Sequence, residues 1–284
     1  MSRLQEIEKQ MKGMGAMVEM SSVFEGIASM KIARIKNQVL QATLFFDDLW
    51  SIYTQIRVDS LFRFGRNTSS EEVIAKDLYI IITAEGGFSG DIDQKLVRYM
   101  LESYDENKQD IIVIGHHGAV QLAQKGVGFK KYFKLPTNDR NINVAPIIKY
   151  VQQYKNASVF YQEYVSLMVQ DVRKIELSSA VNNIGKDAEK SKEYISEETY
   201  IFEPSTFVLV DHLERSMMQI ALEQLILDSK LAQYASRFRA MSASHQAADD
   251  QFAEARLRFN RGKRAIKDER LKEIINGIKK ARAT

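Results

Sequence analysis

Apolar and small residues recur at alternating steps of three and four along the last eighty residues of the chain, and no proline interrupts them. The repeat is carried by Leu213, Met217, Ile220, Leu227, Leu231, Tyr234, Phe238, Met241, His245, Ala248, Phe252, Ala255, Phe259, Gly262 and Ile266, with Gln224 as its one polar member. A repeat of 3.5 residues keeps one face of a helix against a partner helix. The pattern therefore predicts a single helix, about 110 Å long, that packs on another helix along its length.

The start of the chain carries the same repeat. Its first members are Leu4, Ile7, Met11, Met14 and Val18. The repeat slips in phase at residues 21–24 and then resumes with Ala28, Ile32, Ile35, Val39, Ala42, Phe46, Leu49, Tyr53 and Ile56. Such a stutter changes the local supercoil without ending a helix. The pattern predicts a second long helix over residues 3–57. Two interpretations fit both stripes: the core of a helix bundle, or a two-helix coiled coil between the chain's own ends.

The period changes in the middle of the chain. Continuous apolar runs predict buried strands at 78–84 and 110–115. Further strands are predicted at 129–136 and 199–205, and one or two more within 158–177. Amphipathic segments predict helices at 91–104, 116–126 and 144–156, and polar segments at 58–77 and 178–199 are expected to be connections. The alternation of strand and helix indicates an α/β domain with a parallel sheet and right-handed crossovers.

Charge is distributed unevenly along the chain. The net charge is +3, but residues 254–284 contain eleven Lys or Arg and four Asp or Glu, so the remainder sums to −4. The whole protein is therefore not a general binder of polyanions. The absence of cysteine excludes disulfides, thiolate catalysis and cysteine zinc sites. We expect neither a membrane span nor a signal peptide, because no sufficiently long apolar run occurs.

The basic segment at 254–284 is the most informative charged feature. Three interpretations remain open: a solvated helix end, a nucleic-acid contact, or a contact with an acidic protein surface. No base-recognition module accompanies the segment, and Phe259 and Ile266 continue the apolar repeat within it.

Two other features could carry chemistry. The turn EGGFSG at 85–90 joins a strand to a helix, but it lacks the glycine spacing of dinucleotide sites and the Lys–Ser/Thr of phosphate loops. A tight βα turn is therefore favoured over a nucleotide site. His116 and His117 are adjacent, should point apart, and have no carboxylate beside them in the sequence, so no metal site is expected. On the last helix, His245 is expected to be packed or bonded to a partner.

Seven segments together resemble the γ subunit of rotary F-type ATP synthases. They are LQEIEKQMKGM at the start, AxMK at 28–31, IITAEGGFSG, IIVIGHHG, YIFEPS, and the pair SRFRAM (236–241) with FNRGKRAIKDERLKEIINGI (259–278). Their order and spacing follow the family over essentially the full length. The chain is identified as a divergent member, with Phe88 and Ser89 in place of the family's Leu and Cys.

The resemblance implies an α/β fold with a long antiparallel two-helix coiled coil. The terminal helices, 1–57 and 206–284, would form a shaft, and a Rossmann-like domain at 58–205 would form its foot. The last helix would outrun the first by roughly twenty residues, so that its basic tip projects alone.

The resemblance also implies which residues meet the surrounding subunits. The expected contacts with an αβ hexamer are Lys31, Arg256, Asn260, Arg261, Lys263, Arg264, Lys267 and Asp268. Asn260 matches the family, as do Leu271, Glu273, Ile274 and Gly277. The family's Arg-Gln falls on Lys263–Arg264, its Ile-Thr on Lys267–Asp268 and its following Glu on Arg270, and its early basic residues fall on Glu8, Lys9 and Gln10.

The implied role is that of a non-catalytic rotor shaft, which couples rotation of a membrane c-ring to ATP synthesis or hydrolysis. The implied partners are the α, β and ε subunits and the c-ring, with no nucleic acid. The implied location is peripheral, at the cytoplasmic face of a bacterial membrane. No cofactor is expected on this chain, because ATP, ADP and Mg would be bound by partner subunits. The alternatives are a coiled-coil adaptor whose Rossmann-like domain binds a nucleotide, a nucleic-acid-binding coiled-coil protein, and the rotor of a specialised F-type-like motor.

Overall fold

A computed structural model describes residues 3–55, 74–135, 142–178, 180–181 and 206–283. The main helices are α1 (Arg3–Gln55), α2 (Ile92–Leu101), α3 (His116–Gln124), α4 (Ala145–Val151) and α5 (Thr206–Ala283), and the main strands are β1 (Asp77–Ile82), β2 (Gln109–Ile114), β3 (Lys131–Phe133), β4 (Ala157–Tyr164) and β5 (Gln170–Glu176). Both predicted long helices are confirmed. The predicted strand at 199–205 and most of the connections at 58–77 and 178–199 lie outside the described residues.

The chain forms two compact units. One, the helical unit, combines residues 1–27 with 238–284, and the other, the α/β unit, is formed by residues 28–237. Each unit therefore takes part of both long helices. The predicted division into segments 1–57, 58–205 and 206–284 follows the helix ends instead, and it stays a prediction.

In the helical unit, α1 and α5 run antiparallel. Residues that face each other across the two helices include Leu4 with Gly262, Gly15 with Phe252, and Glu25 with His245. A Cβ atom on Gly262 would lie 2.9 Å from the Leu4 side chain, and one on Gly15 would lie 3.3 Å from the Phe252 ring. The two glycines therefore permit a close approach of the helices. His245 has a carboxylate partner, since its Nδ1 lies 3.6 Å from Glu25 Oε2.

In the α/β unit, the two long helices are again antiparallel neighbours. Gln224 Nε2 donates a hydrogen bond of 2.7 Å to Thr43 Oγ1, and Lys31 Nζ lies 5.9 Å from the centre of the Tyr234 ring. Ala28, Ile35 and Phe46 are fully buried on α1. The one polar member of the apolar repeat thus has a polar partner on the opposite helix.

The sheet has the order β3-β2-β1-β4-β5. The pairs β2–β3, β1–β2 and β1–β4 are parallel, as predicted, whereas β5 pairs antiparallel with β4 as a hairpin. One face packs on α2 and α3 through the buried cluster Tyr79, Ile81, Leu96, Val97, Met100, Ile111, Val113, Leu122 and Phe160. The alternate strand residues, such as Ile80 and Ile112, are fully buried as well. Burial on both faces explains the continuous apolar runs in the sequence.

Candidate functional site

The carboxyl ends of β1 and β4 form the place where a doubly wound sheet takes a ligand. The strand order reverses between these two strands, and such a switch point opens a crevice. In this chain, residues 229–237 of α5 lie at that crevice. They bond to Gln162 near the end of β4 and to the turn that follows β1.

Gln162 is the centre of a buried polar cluster. Its Nε2 donates a 2.8 Å hydrogen bond to Asp93 Oδ1, and its Oε1 accepts hydrogen bonds from Ser229 Oγ and Gln233 Nε2. Gln162 and Ser229 are completely buried, and Asp93 and Gln233 are 2% and 5% exposed. Asp93 Oδ1 also accepts from the backbone N–H of Ala84. The cluster therefore ties β4, α2 and the end of β1 to α5.

His117 joins this cluster from its solvent side. Its Nδ1 lies 2.9 Å from Asp93 Oδ2, and this hydrogen bond raises the pKa of His117 against the opposing effect of partial burial. The sequence places no carboxylate next to the histidine pair, but the fold does, because α2 brings Asp93 to the start of α3. Asp93 and His117 are 24 residues apart in the sequence, so no local pattern reveals their contact. Among the described residues, no group of three His, Asp or Glu side chains is placed to hold a metal ion.

The glycine-rich turn offers carbonyl oxygens to α5. Arg237 donates hydrogen bonds of 3.0 and 3.1 Å to the oxygens of Gly87 and Gly86, and Ser236 Oγ donates one of 2.7 Å to Ser89 O. A phosphate needs N–H donors from such a turn. The carbonyls instead serve a guanidinium and a hydroxyl of the chain itself, which supports the interpretation as a structural βα turn.

The apolar repeat identified in the sequence of α5 covers only one of the two buried faces of this helix. The second face contains Met218, Leu222, Leu225, Ser229, Gln233 and Ser236, which are all less than 9% exposed. These residues also follow steps of three and four. A helix that is apolar or small nearly all round is buried all round, and this signal at 213–236 could have indicated the contact with the sheet.

Asp228 lies beside this second face. Burial and, to a smaller extent, the neighbouring Glu163 raise its pKa to about 6, although the carboxylate is hydrogen-bonded to the backbone N–H of Tyr164. The folded state therefore favours the protonated carboxyl. The contribution of Asp228 to the free energy of unfolding is fully present below its ordinary pKa of 3.8, and it is lost as the pH rises through about 6.

We expect the substitution Asp228→Asn to stabilise the protein at alkaline pH. The amide keeps an oxygen for the Tyr164 N–H and removes the buried charge, so the free energy of unfolding near pH 8 should rise by at most about 3 kcal/mol. The gain should fade near pH 4, where both side chains are neutral. Urea unfolding at both pH values measures it, with the exposed Asp48→Asn as the control. An equal gain at both pH values would contradict the assigned cause.

The basic tip continues α5 beyond its pairing with α1. Leu4 is matched with Gly262, and α5 extends to Ala283, so about twenty residues, roughly 30 Å of helix, follow the last described pair. Residues 263–279 are all exposed. Leu271, Ile274, Ile275 and Ile278 are each 49–58% exposed on this stretch. Apolar side chains at such spacing form one helix face without a partner in the described part of the chain.

The predicted contact residues fall into two places. Arg256, Asn260, Arg261, Lys263, Arg264, Lys267 and Asp268 are all exposed on α5 in the helical unit. Lys31 lies in the α/β unit instead, partly buried on α1 beside Tyr234. The structure thus brings seven of the eight together on one helix, and their contact with other subunits stays a prediction.

Comparison with known proteins gives matches over the full length. A family model described as ATP synthase matches residues 3–280. The ATP synthase gamma chain of Mycoplasmoides gallisepticum is 21% identical, with 99% of this chain and 100% of that one covered. The gamma chain of Pelotomaculum thermopropionicum is 24% identical, with 98% of each covered.

Solved structures share the fold. A chain of the Euglena gracilis mitochondrial ATP synthase, in a structure of OSCP, F1 and c-ring, superimposes with a TM-score of 0.62 at 15% identity, covering 98% of this chain and 95% of that one. A chain of the rotor of the same enzyme gives 0.59 at 14% identity, with 92% and 99% covered. None of the described helices has the length and apolar composition that crossing a bilayer requires. The match of the family model across residues 3–280 shows that this chain belongs to the ATP synthase family, in which its curated relatives are gamma chains.

Proposed function

We propose that this chain is the central rotor shaft of an F-type ATP synthase. The observation that carries the proposal is the exposed, basic end of α5, which outruns its partner helix in a chain that matches the family from end to end. The chain itself is non-catalytic in this role. Catalysis, with ATP, ADP and Mg, belongs to the α and β subunits around the shaft.

The proposed mechanism is differential contact. A helix presents different side chains in each direction, so every catalytic subunit around it meets a different surface at each angle of rotation. A ligand or partner shifts an equilibrium only by its different affinity for the two states. Rotation of an asymmetric tip therefore changes nucleotide affinity on each neighbour in turn. Exposed charges suit this contact, since each exposed ion pair is weak and easily exchanged.

The proposed partners are α and β around the tip, and ε and the c-ring at the α/β unit. The complex would place the chain peripherally, at the cytoplasmic face of a bacterial membrane. The adaptor alternative requires a nucleotide at the α/β unit, and the carbonyl-lined turn gives it no support. Coupling in either direction, synthesis or hydrolysis, follows from the same contacts.

Co-expression with F-type α and β subunits from the same organism tests the proposal. We expect the three to co-elute as one complex, because the tip is exposed for entry into a hexamer, and we expect the isolated chain to give no heat on titration with ATP. The chain with α5 ended after Ala255 serves as the control, and it should elute apart from the hexamer. Separate elution of the full chain, ATP binding to it alone, or a salt-dependent shift of DNA would contradict the proposal.

A further inference from the structure

The crevice at the ends of β1 and β4 carries a mechanical load if the chain is a rotor. We propose that Gln162, Asp93 and Arg237 are positioning residues that lock the sheet to α5, so that torque applied to the sheet reaches the helix. The inference rests on the proposed function. It assigns the ligand position of the doubly wound sheet to residues 229–237 of the chain's own helix.

The buried hydrogen bonds supply what apolar packing lacks. Hydrophobic contact is non-directional, so it specifies the position of a helix on a sheet less sharply than hydrogen bonds do. Gln162 bonds at both ends of its amide, to Asp93 on one side and to Ser229 and Gln233 on the other. A buried network of this kind fixes one arrangement, because each broken bond leaves an unsatisfied polar group.

Arg237 and Ser236 provide a second anchor on the same helix. They hold the carbonyl oxygens of Gly86, Gly87 and Ser89. The first anchor, Ser229, lies eight residues earlier, which is about 12 Å along a helix. One point of attachment allows a pivot, whereas two separated points fix the direction of the helix against the sheet.

The substitution Gln162→Met tests the first anchor, since methionine is unbranched and of similar length. It removes the hydrogen bonds that Gln162 makes to Asp93, Ser229 and Gln233, so the backbone amides of 229–237 should exchange about tenfold faster with deuterium. In reconstituted vesicles that contain the complete synthase, ATP hydrolysis should continue while ion transport per ATP falls as the opposing ion gradient rises. Lys95→Gln, at an exposed position on α2, is the matched control and should behave as the unaltered chain.

A reversible crosslink distinguishes a contact that transmits torque from the sheet to α5 from a contact that only stabilises the fold. The chain has no cysteine, so Gly90→Cys with Ser236→Cys introduces its one cysteine pair; a Cβ on Gly90 lies 3.5 Å from Ser236 Oγ. Gly90 has φ at +66° and Ser236 loses its bond to Ser89, so the same pair without Gln162→Met is the control for the effect of the cysteines themselves. Added to Gln162→Met, the oxidised pair should restore transport against a gradient, and reductant should abolish it again. Transport by Gln162→Met equal to that of the unaltered chain at every gradient would overturn the inference, as would a loss that oxidation does not restore. Failure of the unaltered chain to support transport would instead refute the proposed function.

Discussion

The substitution Gly115→Ala should unfold the α/β unit. Gly115 joins β2 to α3 with φ at +100°, and a Cβ atom there would lie 2.0 Å from the backbone oxygen of Thr83. The strands cannot part to admit it, because Ile82 and Ile114 are paired in the sheet. We expect a loss of about 4–5 kcal/mol or more in the free energy of unfolding, comparable with the whole stability of many domains.

The hydrogen bonds of the Thr83 side chain explain why the backbone cannot move to relieve the clash. The hydroxyl of Thr83 shares its one proton between the oxygens of Ile114 and Gly115 and accepts from the N–H of Gly118, so the ends of β1, β2 and α3 are bonded around one hydroxyl. Soluble yield and urea unfolding measure the effect. Gly126→Ala is the control, since Gly126 has φ at +71° but no atom within 4 Å of a Cβ, and should cost only about 1–2 kcal/mol. Equal stability of the two variants would show that the backbone relaxes.

The larger features of this fold follow from the sequence because their patterns are periodic. The repeat at Ile32, Ile35 and Phe46 on α1 and at Leu227 and Leu231 on α5 predicts two helices with a common seam. The runs that became β1 and β2 predict strands buried on both faces. Both signals arise from local side-chain direction, which the order of residues determines directly.

The polar cluster could not be predicted in the same way. Gln162 lies 67 residues before Ser229 and 69 after Asp93. No local pattern links the three residues, although Ser229 belongs to the second buried face of α5. Their contact depends on where α5 crosses the sheet. The antiparallel β5 has mostly exposed or half-buried residues, so its pattern resembles that of a polar connection. The contact residues of the tip, by contrast, are named through family resemblance, and only their exposure is a property of this structure.

Replacing Arg256, Arg261, Lys263, Arg264 and Lys267 together by glutamine should uncouple the proposed motor while leaving the chain folded. The five side chains are exposed and make no ion pair with the described part of the chain, so the free energy of unfolding should change little. Five exposed contacts at about 0.2–1 kcal/mol each amount to about fivefold or more in coupling, seen as ion transport per ATP hydrolysed. Salt gives the discriminating readout: coupling by the unaltered chain should weaken as ionic strength rises, and coupling by the variant should be low and insensitive to it.

A control in which each Arg becomes Lys and each Lys becomes Arg keeps the charge and should keep the coupling. If the neutral variant couples normally at low salt, the tip does not act through its charge, and its exposed apolar face at Leu271, Ile274 and Ile278 becomes the surface on which rotation must act.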